Sequence, residues 1–228
     1  MRVAVLFSGG KDSSLALLWA LNNNFEIEAL VSFIPERDDS YMFHVPNIKL
    51  TKLQAEAAGL PYVPVPSSGL KDREISELEE VLGRINVDAV VSGVVSSEYQ
   101  KTAVEKVCKR LELKYFTPLW HINETLLLLN VVNLGFDARF CGVYALGFTR
   151  NWLGRKLDHA AIADLLLLKK TYGVSMAGEG GEYETLVLDA PYYKKRVEIV
   201  DAETYWDDFR GQLLVKKGRL AEKGRGEK

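Results

Sequence analysis

Six consecutive residues near the start of the chain, Ser8-Gly9-Gly10-Lys11-Asp12-Ser13, have the composition of an anion site. They follow an apolar run, Val3-Ala4-Val5-Leu6-Phe7, that reads as a buried strand. They precede a segment in which Leu15, Leu18 and Trp19 recur at helical spacing. A strand turning through glycines into a helix presents N–H groups without intrahelical partners at the positive end of the helix dipole. Phosphate binds at such junctions. The glycines allow a sharp turn and a close approach of backbone to anion, Ser8 and Ser13 add hydroxyls, and Lys11 adds a charge. Two familiar phosphate loops do not fit. A Walker loop needs Gly where this chain has Val5, and Ser or Thr where it has Asp12. The dinucleotide fingerprint Gly-x-Gly-x-x-Gly is not spelled by Gly9, Gly10 and Ser13.

The pattern Ser-Gly-Gly-x-Asp-Ser resembles instead the PP-loop of the ATP pyrophosphatases of the adenine nucleotide α-hydrolase type. That resemblance implies cleavage of ATP between its α and β phosphates, with the departing pyrophosphate held by the loop from Ser8 to Ser13.

Elements able to position such a loop are legible on either side of it. Strands are expected at 3–7, 28–33, 62–66, 89–92 and 115–117, and helices at 12–22, 48–58, 71–84 and 99–111. This alternation predicts an α/β fold, a doubly wound parallel five-stranded sheet with helices on both faces. Ligands in such folds lie at the carboxyl ends of the strands. Two further stretches fall there. One is the long polar loop after the second strand, which begins at Ser32 and runs through Tyr41 to His44. The other is Ser92-Gly93-Val94-Val95-Ser96-Ser97, after the fourth strand, whose small residues admit a nucleotide and whose serines also suit a helix cap. Ser32 and Gly93 are therefore candidate nucleotide contacts.

Beyond about residue 118 the alternation stops. A helix over 123–134 is expected to be capped by Asn123 and stopped by Gly135, with a strand over 136–145. A second helix, capped by Asp158, runs to Tyr172 and closes at Gly173. An acidic glycine loop, Gly178-Glu179-Gly180-Gly181-Glu182-Tyr183-Glu184, leads into a strand at 185–188. The stretches 195–200 and 212–217 could pair. We read residues 1–118 as a PP-loop ATP-binding domain. Residues 119–228 read as a smaller α+β subdomain closing over the rim, with a mobile charged tail from about 221.

Bulk properties bound the rest. In 228 residues there is room for an ample core, and the net charge of −2 suggests no general nucleic-acid binding. No signal peptide or membrane span is expected, and Cys108 and Cys141 form neither a metal spacing nor a disulfide framework. A reducing, cytoplasmic setting fits, and a homodimer is compatible with it.

The loop combines with Ser40-Tyr41-Met42-Phe43-His44, Ser97-Glu98-Tyr99-Gln100-Lys101 and Gly178–Thr185. Together these resemble the diphthine–ammonia ligase family over nearly the whole chain. The resemblance implies amidation of diphthine, a modified histidine of elongation factor 2, with ATP and ammonium consumed and AMP and pyrophosphate released. Lys101 and Ala103 stand where the family more usually has an Arg-x-Arg-Val-Glu pattern, of which Val104 and Glu105 are present. Within these stretches Tyr41, His44, Ser97, Tyr99, Gln100, Glu179, Glu182 and Tyr183 are candidate substrate contacts.

The chemistry itself requires that a carboxylate be activated before an amine attacks it. Transfer of AMP to the carboxylate gives an acyl-adenylate and pyrophosphate, and catalysis rests on positioning and preorganised charge. Lys11 and the amides of Gly9, Gly10 and Ser13 would stabilise the pyrophosphate. Asp12 would act through Mg²⁺ or by orienting Lys11. Tyr183 offers an aromatic face to a quaternary ammonium, and Glu184, at the loop–strand boundary, could take a proton from ammonium. No glutaminase domain and no N-terminal cysteine nucleophile is expected, so free ammonium is the simplest nitrogen donor. Sulfur transfer to tRNA, the alternative within the PP-loop class, wants a reactive cysteine, whereas Cys108 and Cys141 both read as core. A nucleotide sensor without turnover is a further alternative, against which the acidic loop argues.

Overall fold

The computed structural model describes residues 1–35, 47–68 and 71–224. The first half alternates β1 (Arg2–Leu6), α1 (Lys11–Asn22), β2 (Glu26–Pro35), α2 (Thr51–Ala58), β3 (Tyr62–Ser67), α3 (Lys71–Arg84), β4 (Ala89–Val91), α4 (Glu98–Arg110) and β5 (Lys114–Phe116). Its strands form one parallel sheet in the order β3-β2-β1-β4-β5. The chain leaves β1 toward β2 and later crosses to β4 on the other side, so the order reverses at β1, where α/β sheets bind ligands. The loop from Ser8 to Ser13 lies at that point.

The sheet is buried on both faces, as parallel sheets are. Val3 and Val5 pack with Leu15, Leu17 and Ala55, on the side of α1 and α2. Ala4 and Val90 pack with Leu78, Leu82, Val104, Val107 and Cys108, on the side of α3 and α4. The segment expected as one helix over 48–58 is a 3₁₀ turn, Ile48–Leu50, followed by α2.

The second half runs α5 (Glu124–Asn133), β6 (Asp137–Val143), α6 (His159–Tyr172), β7 (Tyr183–Asp189), β8 (Arg196–Asp207) and β9 (Arg210–Ala221), and its strands form an antiparallel sheet in the order β7-β6-β9-β8. Its helix caps are those read from the sequence: Asn123 accepts from the Leu126 amide at 3.1 Å and Asp158 from the Ala161 amide at 2.8 Å. The final hairpin is longer than expected, running from Arg196 to Ala221, which pair with each other at its open end. Alternating charged residues hid its length, because here they pair across strands, as Arg219 does with Glu198 at 2.6 Å.

The two sheets share one core through α1. Sequence periodicity gives that helix a single apolar face, yet Leu15, Ala16, Leu17, Leu18 and Ala20 are all buried. The second sheet supplies the additional cover: Tyr183 and Val187 of β7 belong to the same core cluster as Leu15 and Leu17. Among the described residues no helix is long and apolar enough to cross a membrane.

Candidate active site

The loop begins where β1 ends and delivers the chain into α1. Gly9 sits at φ +77°, a left-handed conformation that favours glycine, and a Cβ there would collide with the Gln54 side chain. Gly10 is the extended residue before α1, and no side chain caps the helix from that position. The Ser14 amide donates to the Gly10 carbonyl at 3.1 Å, the Lys11 amide to Thr185 Oγ1 at 3.1 Å and the Ser8 amide to Ser13 Oγ at 3.2 Å. The amides of Gly9, Gly10 and Ser13 have no acceptor among the described residues. They form the cluster of unmatched donors that an anion needs.

The loop borders a cavity of about 570 Å³, which Gly10 and Ser13 line and Gly9 does not. Leu6, Val31, Phe33, Ile75, Leu78 and Val104 make an apolar wall, and Ser8, Gly10, Lys11, Asp12 and Ser13 make the loop side. Gly93 and Ser97 come from the rim after β4, and Glu179, Tyr183, Glu184 and Thr185 come from the second sheet and the loop before it. A pocket with one apolar wall and a few convergent polar groups has the general make-up of a ligand site.

Lys11 is only 4% exposed. Its Nζ donates to Asp12 Oδ2 at 2.9 Å and to the Ala177 carbonyl at 2.5 Å, and it lies 5.0 Å from the centre of the Tyr183 ring. Burial alone would lower its pKa, but Asp12 and Glu184 outweigh that and hold the ammonium firmly charged. The lysine read from the sequence as a stabiliser of pyrophosphate is thus buried, bound within the chain and part of the cavity lining. Asp12 is pushed up by burial and held back by Lys11. Glu184 lines the cavity, and its carboxyl is raised by burial, pulled back by Lys11 and pushed further by Asp12 and Glu179. A raised carboxyl in a cleft is suited to proton transfer near neutral pH.

Several other expected contacts take different roles. Ser32 is buried and its hydroxyl donates to the Phe7 carbonyl at 2.6 Å, so it ties β2 to the end of β1 and does not line the cavity. Gly93 lines the cavity, but a Cβ there would stand 2.5 Å from the Asp12 carbonyl carbon, so the glycine serves close packing of this rim on α1. Tyr183 is buried, its hydroxyl donates to the Met176 carbonyl at 2.5 Å, and its ring already carries Lys11. It is not an open platform for a ligand cation. Glu182 accepts from the Ser175 amide at 3.0 Å and the Gly180 amide at 2.9 Å, bracing its own loop outside the cavity lining. Glu179 accepts from the amide and hydroxyl of Ser96 and so joins the two rim loops.

Ser97 caps α4 by accepting from the Gln100 amide, and Ser97, Tyr99 and Gln100 all line the mouth. Ala103 lines it too, while Lys101 pairs with Glu105 at 3.5 Å and lies over the Trp120 ring. Tyr41 and His44 lie outside the described residues. Cys108 and Cys141 are buried away from the cavity lining, with the Cys108 thiol pushed up to about 11 by burial. The reactive cysteine that sulfur transfer wants is not supplied by either. Gln54, Thr185 and Glu124 were missed. Glu124 accepts from Ser175 Oγ and the Met176 amide, so it supports the strand of chain that receives Lys11. A Glu in the first turn of a helix otherwise reads as an ordinary dipole partner.

A parallel α/β sheet with an anion loop at its switch point and acidic groups opposite defines a PP-loop nucleotide-binding protein. Comparison with known proteins narrows this. Residues 1–115 match the diphthamide synthase N-terminal domain and residues 123–221 the diphthamide synthase C-terminal domain. A diphthine–ammonia ligase of Schizosaccharomyces pombe is 37% identical over 248 residues, covering 100% of this chain and 40% of that one. The Homo sapiens protein of that name is 36% identical, covering 89% of this chain and 84% of its own, and the Danio rerio protein is 36% identical with 90% and 88% covered. The chain belongs to the diphthine–ammonia ligase family.

Proposed function

We propose that the protein amidates diphthine on elongation factor 2, cleaving ATP to AMP and pyrophosphate, in the cytoplasm. The observation that carries this is that the unmatched Gly10 and Ser13 amides and the Glu184 carboxyl line one cavity. The diphthine carboxylate oxygen attacks the α-phosphorus, the α–β phosphoanhydride bond breaks, and pyrophosphate leaves with the electron pair. Ammonia then attacks the acyl-adenylate carbon, forming the amide and expelling AMP. The Gly10 and Ser13 amides bind the phosphates in this reading, and Lys11 adds positive field. Glu184 removes a proton from ammonium so that the neutral amine attacks. Residues 1–118 serve ATP, and residues 119–228 supply Glu184 and close the site.

The residues present fit Mg²⁺ arriving with the nucleotide. Asp12 Oδ1 is buried and has no hydrogen-bond partner among the described residues. No group of three or more His, Cys, Asp or Glu among those residues could hold a metal alone. Asp12 would hold it beside the phosphates, and the ion would supply neutralising charge there.

The test is incubation of diphthine-bearing elongation factor 2 with the protein, MgATP and ammonium, followed by mass spectrometry of the factor and nucleotide analysis. The expected result is conversion of carboxylate to amide with AMP and pyrophosphate in equal amounts. ADP and orthophosphate as main products would refute it.

A further inference from the structure

The loop from Ser8 to Ser13 is not held by its own half of the molecule alone. The Gly9 carbonyl accepts from the Val187 amide of β7 at 3.0 Å and from Gln54 Nε2 of α2 at 2.9 Å. The same Nε2 donates to the Val187 carbonyl at 2.8 Å, and Gln54 is fully buried. Two carbonyls converge on that amide group, so its nitrogen must face them; the reverse orientation would set three oxygens together. Thr185, two residues before Val187 on β7 and 6% exposed, accepts from the Lys11 amide at 3.1 Å.

These contacts determine which donors remain open. In a regular helix the Ser13 amide would donate to the Gly9 carbonyl, four residues back. That carbonyl is turned to Val187 and Gln54, and the Ser13 amide is left toward the cavity. The Lys11 amide is used on Thr185, which ties the start of α1 to β7. We infer that Thr185 and Gln54 are positioning residues for the phosphate loop: the second sheet and α2 shape it from behind, so anion binding depends on their docking. This inference rests on the reading of Ser8–Ser13 as a phosphate loop.

The experiment compares the full-length wild type with Thr185→Val, Thr185→Ser and Gln54→Met. Pyrophosphate binding and adenosine binding are measured separately by calorimetry, beside thermal unfolding. Val matches Thr in shape but cannot accept the Lys11 hydrogen bond; Ser can. Thr185→Val should weaken pyrophosphate about tenfold, the scale of one well-placed hydrogen bond. Adenosine should stay within about twofold, and Thr185→Ser should restore pyrophosphate binding. Gln54→Met should follow Thr185→Val; if it fails to fold, the Thr185 pair still decides. Unchanged pyrophosphate affinity in folded Thr185→Val overturns the inference. So does equal loss of pyrophosphate and adenosine, which would mark a purely structural residue, or failure of Ser to rescue. A wild type that does not bind pyrophosphate overturns the phosphate-loop reading itself, a different result from any of these.

Discussion

Replacing Lys11 by Met tests how the buried charges of the site hold one another. The substitution keeps the length of the side chain and deletes the ammonium. Asp12 Oδ2 then loses its 2.9 Å partner while Oδ1 already has none among the described residues, and Glu184 and Glu179 remain nearby as like charges. Removing one member of a buried ion pair costs about 3–5 kcal/mol. The Asp12 side chain keeps 25% exposure, so water screens part of this and the lower end, about 3 kcal/mol, applies. At about 2–4 °C per kcal/mol for a chain of this size, Tm should fall by about 6–12 °C. The deficit should depend on pH with a definite sign. Without the cation, Asp12 and Glu184 titrate above their unfolded values, so the loss grows as pH rises through those raised values and shrinks in acid as they take up protons. Adding Asp12→Asn should recover much of the loss, as a double-mutant cycle would measure. In the proposed reaction, kcat should drop by about two to three orders of magnitude. Thermal unfolding across a pH series is the assay. A Tm within about 2 °C of wild type at neutral pH, or a deficit independent of pH, would refute the reasoning.

Glu184→Gln should leave MgATP binding intact and abolish amide formation. Because burial raises this carboxyl, its ionised form costs the folded state, so the variant should gain a few degrees in Tm at neutral pH, with the gain vanishing in acid. The acid limb of wild-type kcat/KM should lie above the ordinary carboxylate range, and a limb at the ordinary value would remove Glu184 from the base role. Gly93→Ala places a Cβ 2.5 Å from the Asp12 carbonyl carbon and 2.6 Å from the Ser13 nitrogen, so the start of α1 must shift. A stability loss of about 1–3 kcal/mol and weaker MgATP binding by calorimetry are expected.

Much of this molecule is written locally. Strand–turn–helix punctuation around Gly9 and Gly10, β-branched runs and the caps at Asn123 and Asp158 depend on neighbours a few residues away. They therefore survive in the sequence as type and spacing. The parallel sheet follows from strands alternating with helices, and the strand-to-helix turn at Ser8–Ser13 from its own six residues. The length of the β8–β9 hairpin was not legible, because alternating charges look solvated until a partner strand is known.

What side chains do inside the site was decided only by tertiary contacts. Nothing near Lys11 announces that Ala177 and Tyr183, more than 160 residues away, receive its ammonium. Ser32 looks like a rim hydroxyl until the Phe7 carbonyl is found beside it, and Tyr183 looks like an open aromatic face until Lys11 covers it. Gln54 lies in an unremarkable helix and Thr185 at the head of a strand, and no periodicity marks either one. The physical reason is common to all of them. A residue's type sets what hydrogen bonds and charges it can offer, but a buried group takes its role from whichever partner satisfies it, and here those partners come from the second sheet and α2.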